Sequence, residues 1–229
     1  MTQLFTVIST VADGSMYNRH NSTDPAVIEN RRVFLEKHGL SIDQTTRLDT
    51  QLTPRAINHD TNFHRYFEVN EDAKGAGMYN DDVVTADAIV TTHPGHVLLL
   101  PVADCVGAVL YAATQGVLMM SHLGRHSLEQ QGAQKSVEYL TEHYGANPED
   151  VEVWLTPAAG KDKYPIWALD NKGMKEATLE QLAAAGITEA HIHDSPENTT
   201  DDENYYSYSE YLKGNRNEDG DHLIVAVMQ

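Results

Sequence analysis

The feature that most constrains this chain is a block of apolar segments between residues 87 and 122, broken only by short turns. Residues 97–102 are apolar almost without interruption, which predicts a strand covered on both faces. Ahead of them, residues 87–92 predict a strand that stops at the turn His93-Pro94-Gly95-His96. Behind them, residues 108–111 and 117–121 predict two further strands joined through Gln115-Gly116, the second ending at His122.

The flanks mix both periodicities. Residues 4–9 alternate as a strand does and end at a turn over 12–15. Asp24-Pro25 is an N-cap followed by proline at the first helical position, and Val27, Ile28, Phe34 and Leu35 carry that helix to Gly39. Residues 46–58 can hold a strand that Pro54 limits to an edge or a break, and 66–69 a short one. Residues 70–82 read as an exposed loop. A helix over 127–144, with Val137 and Leu140 on one side, is closed by Gly145 and Pro148. Strands follow at 151–155, 190–193 and 223–228, with a helix over 174–185 stopped by Gly186 and a polar, acidic loop over 198–204. Strands and helices do not alternate strictly, which predicts α+β with mixed sheets over a doubly wound parallel fold. No repeat or linker interrupts the 229 residues, so residues 1–229 are expected to form a single domain.

Charge narrows the partners. Sixteen Lys and Arg stand against 34 Asp and Glu, a net charge of −18 that repels phosphate backbones and anionic lipid. Neither a nucleic acid nor a membrane is an expected partner, and no stretch approaches the roughly 20 apolar residues of a membrane span. Residues 1–10 lack the pattern of a signal peptide, and a lone cysteine forms no internal disulfide, so a cytoplasmic protein is expected. Nothing in the pattern separates a monomer from a small homo-oligomer.

That cysteine is either a buried small hydrophobe or a working thiolate. Cys105 follows Asp104 at the end of an apolar strand, and His122 ends the next strand but one. Strand ends on a rigid scaffold can bring the two to one locus. Cysteine sulfur with histidine nitrogen suits zinc, and three protein ligands leave a fourth position open. Asp104 can orient a ligand from behind. The plainer alternative leaves Cys105 buried and His122 beside a helix cap. Arg125, in the turn after His122, can hold a phosphate or carboxylate in a bidentate pair, or be solvated. His93 and His96 flank a turn, where histidines are usually solvated. His191 and His193 share a face of a strand, either bordering a pocket or packing at an edge. The run Tyr205-Tyr206-Ser207-Tyr208 can stack a purine or form a plain strand with one buried face.

The stretch from Ala86-Asp87-Ala88-Ile89-Val90-Thr91 through Pro94-Gly95 to Ala103-Asp104-Cys105 and Ser121-His122-Leu123-Gly124 resembles the laccase-domain family. That family was first described as multicopper polyphenol oxidoreductases and is now described as zinc-dependent purine nucleoside phosphorylases. Residues 9–16 are similar to its first strand and Gly-Ser turn, Asn30-Arg31 to a pair on its first helix, and residues 205–209 to a late aromatic element. The resemblance implies a layered sandwich of mixed sheets with flanking helices. It implies metal ligation by Cys105 and His122, and substrate contacts by Arg31.

Three departures mark a divergent member. The family's Gly-Trp-Arg-Gly element stands as Gly124-Arg125-His126-Ser127, which leaves Arg125 and His126 as the candidates for substrate contacts there. A late Cys-Thr pair stands as Asn198-Thr199. The element carrying the first metal ligand, Gln-x-His-Gly, is absent; His59 occupies the nearest place and His64 competes with it. His126 can substitute if neither binds, and a branch that has lost its metal is also open.

The resemblance thus implies a zinc enzyme of purine nucleosides. In phosphorolysis, phosphate attacks the anomeric carbon while an arginine holds it; in adenosine deamination, water displaces the purine amino group. Three other readings stand beside it: a copper-dependent polyphenol oxidase, a hydrolase using Cys105 as nucleophile and His122 as base, and a catalytically silent protein.

Overall fold

The computed structural model describes residues 3–50, 65–79 and 82–229. In chain order its elements are β1 (Leu4–Ile8), α1 (Pro25–Lys37), β2 (Thr45–Asp49), β3 (Tyr66–Glu68), β4 (Val84–Thr85), β5 (Ala88–Thr91), β6 (Val97–Val102), β7 (Val106–Ala112), β8 (Val117–Leu123), α2 (Arg125–Glu129), α3 (Gly132–Tyr144), β9 (Val151–Leu155), α4 (Met174–Ala184), β10 (Ile192–Asp194), α5 (Tyr208–Leu212) and β11 (His222–Met228).

One sheet orders its strands β1-β11-β6-β2-β4 and the other β10-β9-β7-β8-β5-β3. Both are mixed. In the first, β1, β11 and β6 pair antiparallel while β2 lies parallel to both β6 and β4. In the second, β9, β7, β8 and β5 pair antiparallel, with parallel strands β10 and β3 at the edges.

Alternate side chains of β6 enter two different cores, which explains its unbroken apolar run. Leu98, Leu100 and Val102, with Ile224, Ala226 and Met228 of β11, meet Ile89, Val109, Leu118 and Met120 of the second sheet. Val97 and Leu99, with Leu223, Val225 and Val227, pack instead on Phe34 and Leu35 of α1. Beyond the second sheet, Ala108, Leu110, Met119 and Val153 lie under Val137 and Leu140 of α3 and Ala177 and Leu182 of α4. The result is a helix–sheet–sheet–helix sandwich of the α+β class. Burying each such Leu or Val contributes about 1.5–3 kcal/mol, so three stacked cores rather than any polar contact hold the layers together.

Local departures have local causes. The helix expected over 127–144 is two helices, because Gln131 adopts a left-handed φ of 66° between α2 and α3. A side chain at Gly132 would place its Cβ 1.9 Å from the Ser127 hydroxyl, so the two helices meet tightly there. β2 stops at Asp49 and lies inside its sheet between β6 and β4; Pro54 falls outside the described residues. The loop over 70–82 is not simply exposed, since Met78 is fully buried. The strand expected over 190–193 starts later, at Ile192, after a short turn that contains His191. The tyrosine run is not a strand: Ser207 caps α5 by accepting from the Glu210 N–H. Among the described residues no helix is long and apolar enough to cross a membrane.

Candidate functional site

The strand register gathers the candidate residues at one end of the sandwich. Cys105 lies in the turn between β6 and β7, and His122 pairs with Gly107 near the end of β8. At the same end β11 begins, with His222 opposite Val102. The His122 N–H donates to the carbonyl of Asp87, which precedes β5, at 2.8 Å.

Gly124 shows how close the two candidates are. A Cβ built there would lie 2.8 Å from His122 Cε1, 3.3 Å from His122 Nε2 and 3.1 Å from Cys105 Sγ. The sulfur and the imidazole therefore border one small volume, which stays open because residue 124 has no side chain. The Arg125 backbone N–H adds a hydrogen bond to the sulfur.

Both groups are neutral in this setting. Burial pushes the Cys105 thiol up to about 12, with Asp104 and Asp221 adding to the rise and Arg19 opposing it. Burial pulls His122 down to about 4 against the opposite influence of Asp87. A soft sulfur beside a neutral imidazole fits zinc in kind, and a bound ion would take the place of the thiol proton. Among the described residues no group of three His, Cys, Asp or Glu converges as a complete metal site. His59 and His64, the other ligand candidates, lie outside the described residues.

Asp104 is held by partners far along the chain. Its carboxylate accepts from Thr199 Oγ1 at 2.8 Å and from the Ser209 N–H at 2.7 Å, while its carbonyl accepts from the Ala159 N–H at 2.9 Å. These bonds hold it at a left-handed φ of 74°, a conformation that costs about 1–2 kcal/mol outside glycine. Asp104 thus fastens the 199–209 segment to the strand end and fixes the turn that presents Cys105. Its hydrogen bonds go to that segment and not to His122.

Arg125 and His126 turn outward on α2. The His126 ring lies 3.1 Å from Arg125 Nη2 and 3.2 Å from Glu129, with Arg125 Nε 3.9 Å from the same carboxylate. Arg31, by contrast, is wholly buried. It donates to the carbonyls of Met16 at 2.7 Å and Gly77 at 3.4 Å, and its Nη2 has no partner among the described residues. Burial, with Arg47 nearby, lowers its pKa to about 9. It ties the loop after β1 to the loop before β4.

Five charged residues at this end escaped sequence reasoning. Arg47 of β2 is buried, donates to the Gly77 carbonyl at 2.7 Å and lies 3.6 Å from Asp49. Arg19 bridges Asp219 and Asp221 at 2.5 Å each, under the ring of Tyr208 at 4.2 Å. The available signals were two charges inside a strand pattern, at 47 and 49, and an aspartate just ahead of the last strand. A cavity of about 210 Å³ lies nearby, lined by Val11, Tyr205, Tyr206 and Arg216 among others.

The remaining candidates lie apart. His96 is buried with its Nε2 2.7 Å from Thr46 Oγ1, and His93 is half exposed beside Glu71. His193 stacks on Trp154, and Glu152 lies 2.7 Å from it and 3.7 Å from His191, which is packing at a sheet edge.

Comparison with known proteins agrees with this architecture. Residues 14–172 match the family described as multi-copper polyphenol oxidoreductase laccase. A protein of Corynebacterium glutamicum named purine nucleoside phosphorylase is 26% identical over 210 residues, 82% of this chain and 78% of its own length. A Xylella fastidiosa protein of the same name is 35% identical over 82 residues, and that match spans 36% of this chain and 30% of the relative. The crystal structure of Bacillus licheniformis hypothetical protein YfiH superposes with a TM-score of 0.82 at 19% identity, covering 99% of this chain and 93% of that one, a likeness of fold.

Proposed function

Because the chain belongs to the multi-copper polyphenol oxidoreductase laccase family, we propose that it is a zinc-dependent enzyme of purine nucleosides, acting as a phosphorylase, an adenosine deaminase or both. The observation that carries this reading is the meeting of Cys105 Sγ and the His122 ring at the open volume in front of Gly124. The names of the two curated relatives support the substrate class.

Cys105 and His122 would hold the ion, with His59 or His64 as the third ligand. A bound zinc would supply a Lewis acid and a more acidic water. The protein's own groups do the rest. Asp104 keeps the Cys105 turn in place through Thr199 and Ser209. The Arg125 guanidinium is 43% exposed and only loosely paired with Glu129, a contact worth about 0–1 kcal/mol, so exchange for phosphate costs little. His126, on the same helix, would accompany it. Arg31 is bonded to two backbone carbonyls and would shape the pocket wall with one guanidinium nitrogen to spare. In phosphorolysis a phosphate oxygen bonds to C1′ as the C1′–N9 bond breaks, and the base leaves with that electron pair.

The test incubates the purified chain with adenosine or inosine, with and without phosphate, and follows free base and ammonia. Phosphate-dependent release of base or release of ammonia is expected, lost in Cys105→Ser and His122→Ala. No turnover by the folded wild type overturns the reading, and more than one copper atom per chain after purification without added metal overturns the zinc assignment.

A further inference from the structure

Four strands end the two sheets, and three of them are blunted. β3 and β10 have three residues each and carry Glu68 and Asp194, and β4 has two residues. Short length and charge are how an edge is kept from pairing with another chain. β1 has neither. It runs five residues, Leu4-Phe5-Thr6-Val7-Ile8, apolar except for the threonine and half-buried throughout. Although the chain carries a net charge of −18, no charged side chain occurs before Asp13.

The register with β11 identifies the unused backbone groups. Gln3 and Gln229 exchange both N–H···O bonds at 2.8 Å, and the Ser9 N–H donates to the Leu223 carbonyl at 3.0 Å. Hydrogen-bonded positions alternate along an antiparallel pair, so Phe5 and Val7 turn their backbone groups to Val227 and Val225 of β11. The N–H and C=O groups of Leu4, Thr6 and Ile8 point the other way, where no strand pairs with β1 among the described residues. The side chains are already placed: Leu4 and Ile8 pack between the sheets, and Phe5 and Val7 pack with the core that α1 covers. What β1 leaves open is a row of backbone donors and acceptors with apolar flanks.

We propose that β1 is the contact strand of a two-fold homodimer, pairing antiparallel with β1 of a second copy. The open row is self-complementary. With Thr6 on the two-fold axis, Leu4 of each copy lies opposite Ile8 of the other, and each pair exchanges two hydrogen bonds. The two five-stranded sheets then run on as one. This approach joins the copies along a strand without charges, whereas other approaches bring two strongly acidic surfaces together. Two five-residue strands bury less than the roughly 1,200 Å² of a stable interface, so the dimer is weak and concentration-dependent.

Sedimentation equilibrium from micromolar to millimolar protein should show the wild type passing from monomer to dimer. Added salt should tighten the dimer by about three-fold or more, because it screens the repulsion between two acidic bodies. Residue-resolved amide exchange reads the register. The Leu4, Thr6 and Ile8 amides should slow by about ten-fold as the dimer fills, while those of Phe5 and Val7, already bonded to β11, keep their rates. Thr6→Pro removes one outward N–H and spares the β11 ladder, since proline is accepted on an edge strand. It should remain monomeric, with Val225 and Val227 amides as protected as in the wild type. Should Thr6→Pro not fold, the wild-type exchange pattern decides alone. A wild type that stays monomeric overturns the proposal, as does a folded Thr6→Pro that dimerises like the wild type. A dimer that leaves the three amides unprotected places the contact elsewhere and overturns it too. Protection that does not depend on concentration does the same, because another part of the same chain then covers the edge.

Discussion

Cys105 and His122, on one side of Gly124, live in a different medium from Arg125 and His126 on the other, although the chain passes between them in a single turn. The first pair is desolvated, and burial keeps both groups neutral. The second pair stands on a five-residue helix, turned to solvent and to Glu129. The strand end explains the contrast. A residue still inside β8 is covered by both neighbouring strands, whereas a residue one turn into α2 has left the sheet. Chemistry that needs a soft, dry donor is confined to the first side; exchangeable charge belongs to the second.

The sharpest way to break the contrast is to fill Gly124. Gly124→Val would drive its side chain between the thiol and the imidazole, with the first carbon already at 2.8 and 3.1 Å. Overpacking of this kind should cost about 1–3 kcal/mol in a denaturant titration. Zinc binding followed by calorimetry should be lost as well. A Gly124→Val protein that binds zinc as the wild type does would remove Cys105 and His122 as the metal locus.

Acid should expose the dry side next. Burial holds His122 and His96 at about 4 and His222 at about 3, all below the ordinary 6.5. Below pH 6.5 the unfolded chain takes up protons that the folded chain refuses, so stability is full above that pH and falls as pH drops toward 4. Each group adds up to about 1.4 kcal/mol per pH unit of slope. His222 is the informative one, because neither ring nitrogen has a hydrogen-bond partner among the described residues and Tyr205 packs edge-on against it at 5.2 Å. His222→Phe should be at least as stable as wild type at pH 7 and should show a flatter decline, by thermal melts at several pH values. An unchanged slope would mean that the ring does not titrate with unfolding.

The smallest effect belongs to the wet side. The double variant Arg125→Gln, His126→Gln should change stability by less than about 0.5 kcal/mol, since exposed ion pairs contribute little. If Arg125 meets phosphate, the KM for phosphate should rise while the melting temperature stays put. A large loss of stability would show that the two side chains support the fold instead.

The sequence was most legible where one physical rule acted alone. The apolar run of β6 announced a strand with two covered faces, and Asp24-Pro25 announced the start of α1. The closeness of Cys105 and His122 followed from two apolar strands ending at the same level. Legibility failed where side-chain partners lay far along the chain. Asp104 adjoins Cys105, but nothing local showed that its carboxylate would be held by Thr199 and Ser209. The split between α2 and α3 was hidden because Gln131 carries no turn signature. Arg31 was singled out by resemblance, yet nothing local said that its guanidinium would be buried against the carbonyls of Met16 and Gly77.

The sequence by itself determined the layers of this protein, since periodicity along a strand or helix is a local property that fixes which faces must be covered. It also determined that the single thiol follows the end of one apolar strand and that one particular histidine ends the next strand but one. Only the tertiary structure decided the electrostatics of the site: which arginines are buried, which aspartates face them, and that Arg19 is shared between Asp219 and Asp221. Charges act through space, and the residues at positions 19, 104 and 221 become neighbours only when the strands that carry them are brought into register.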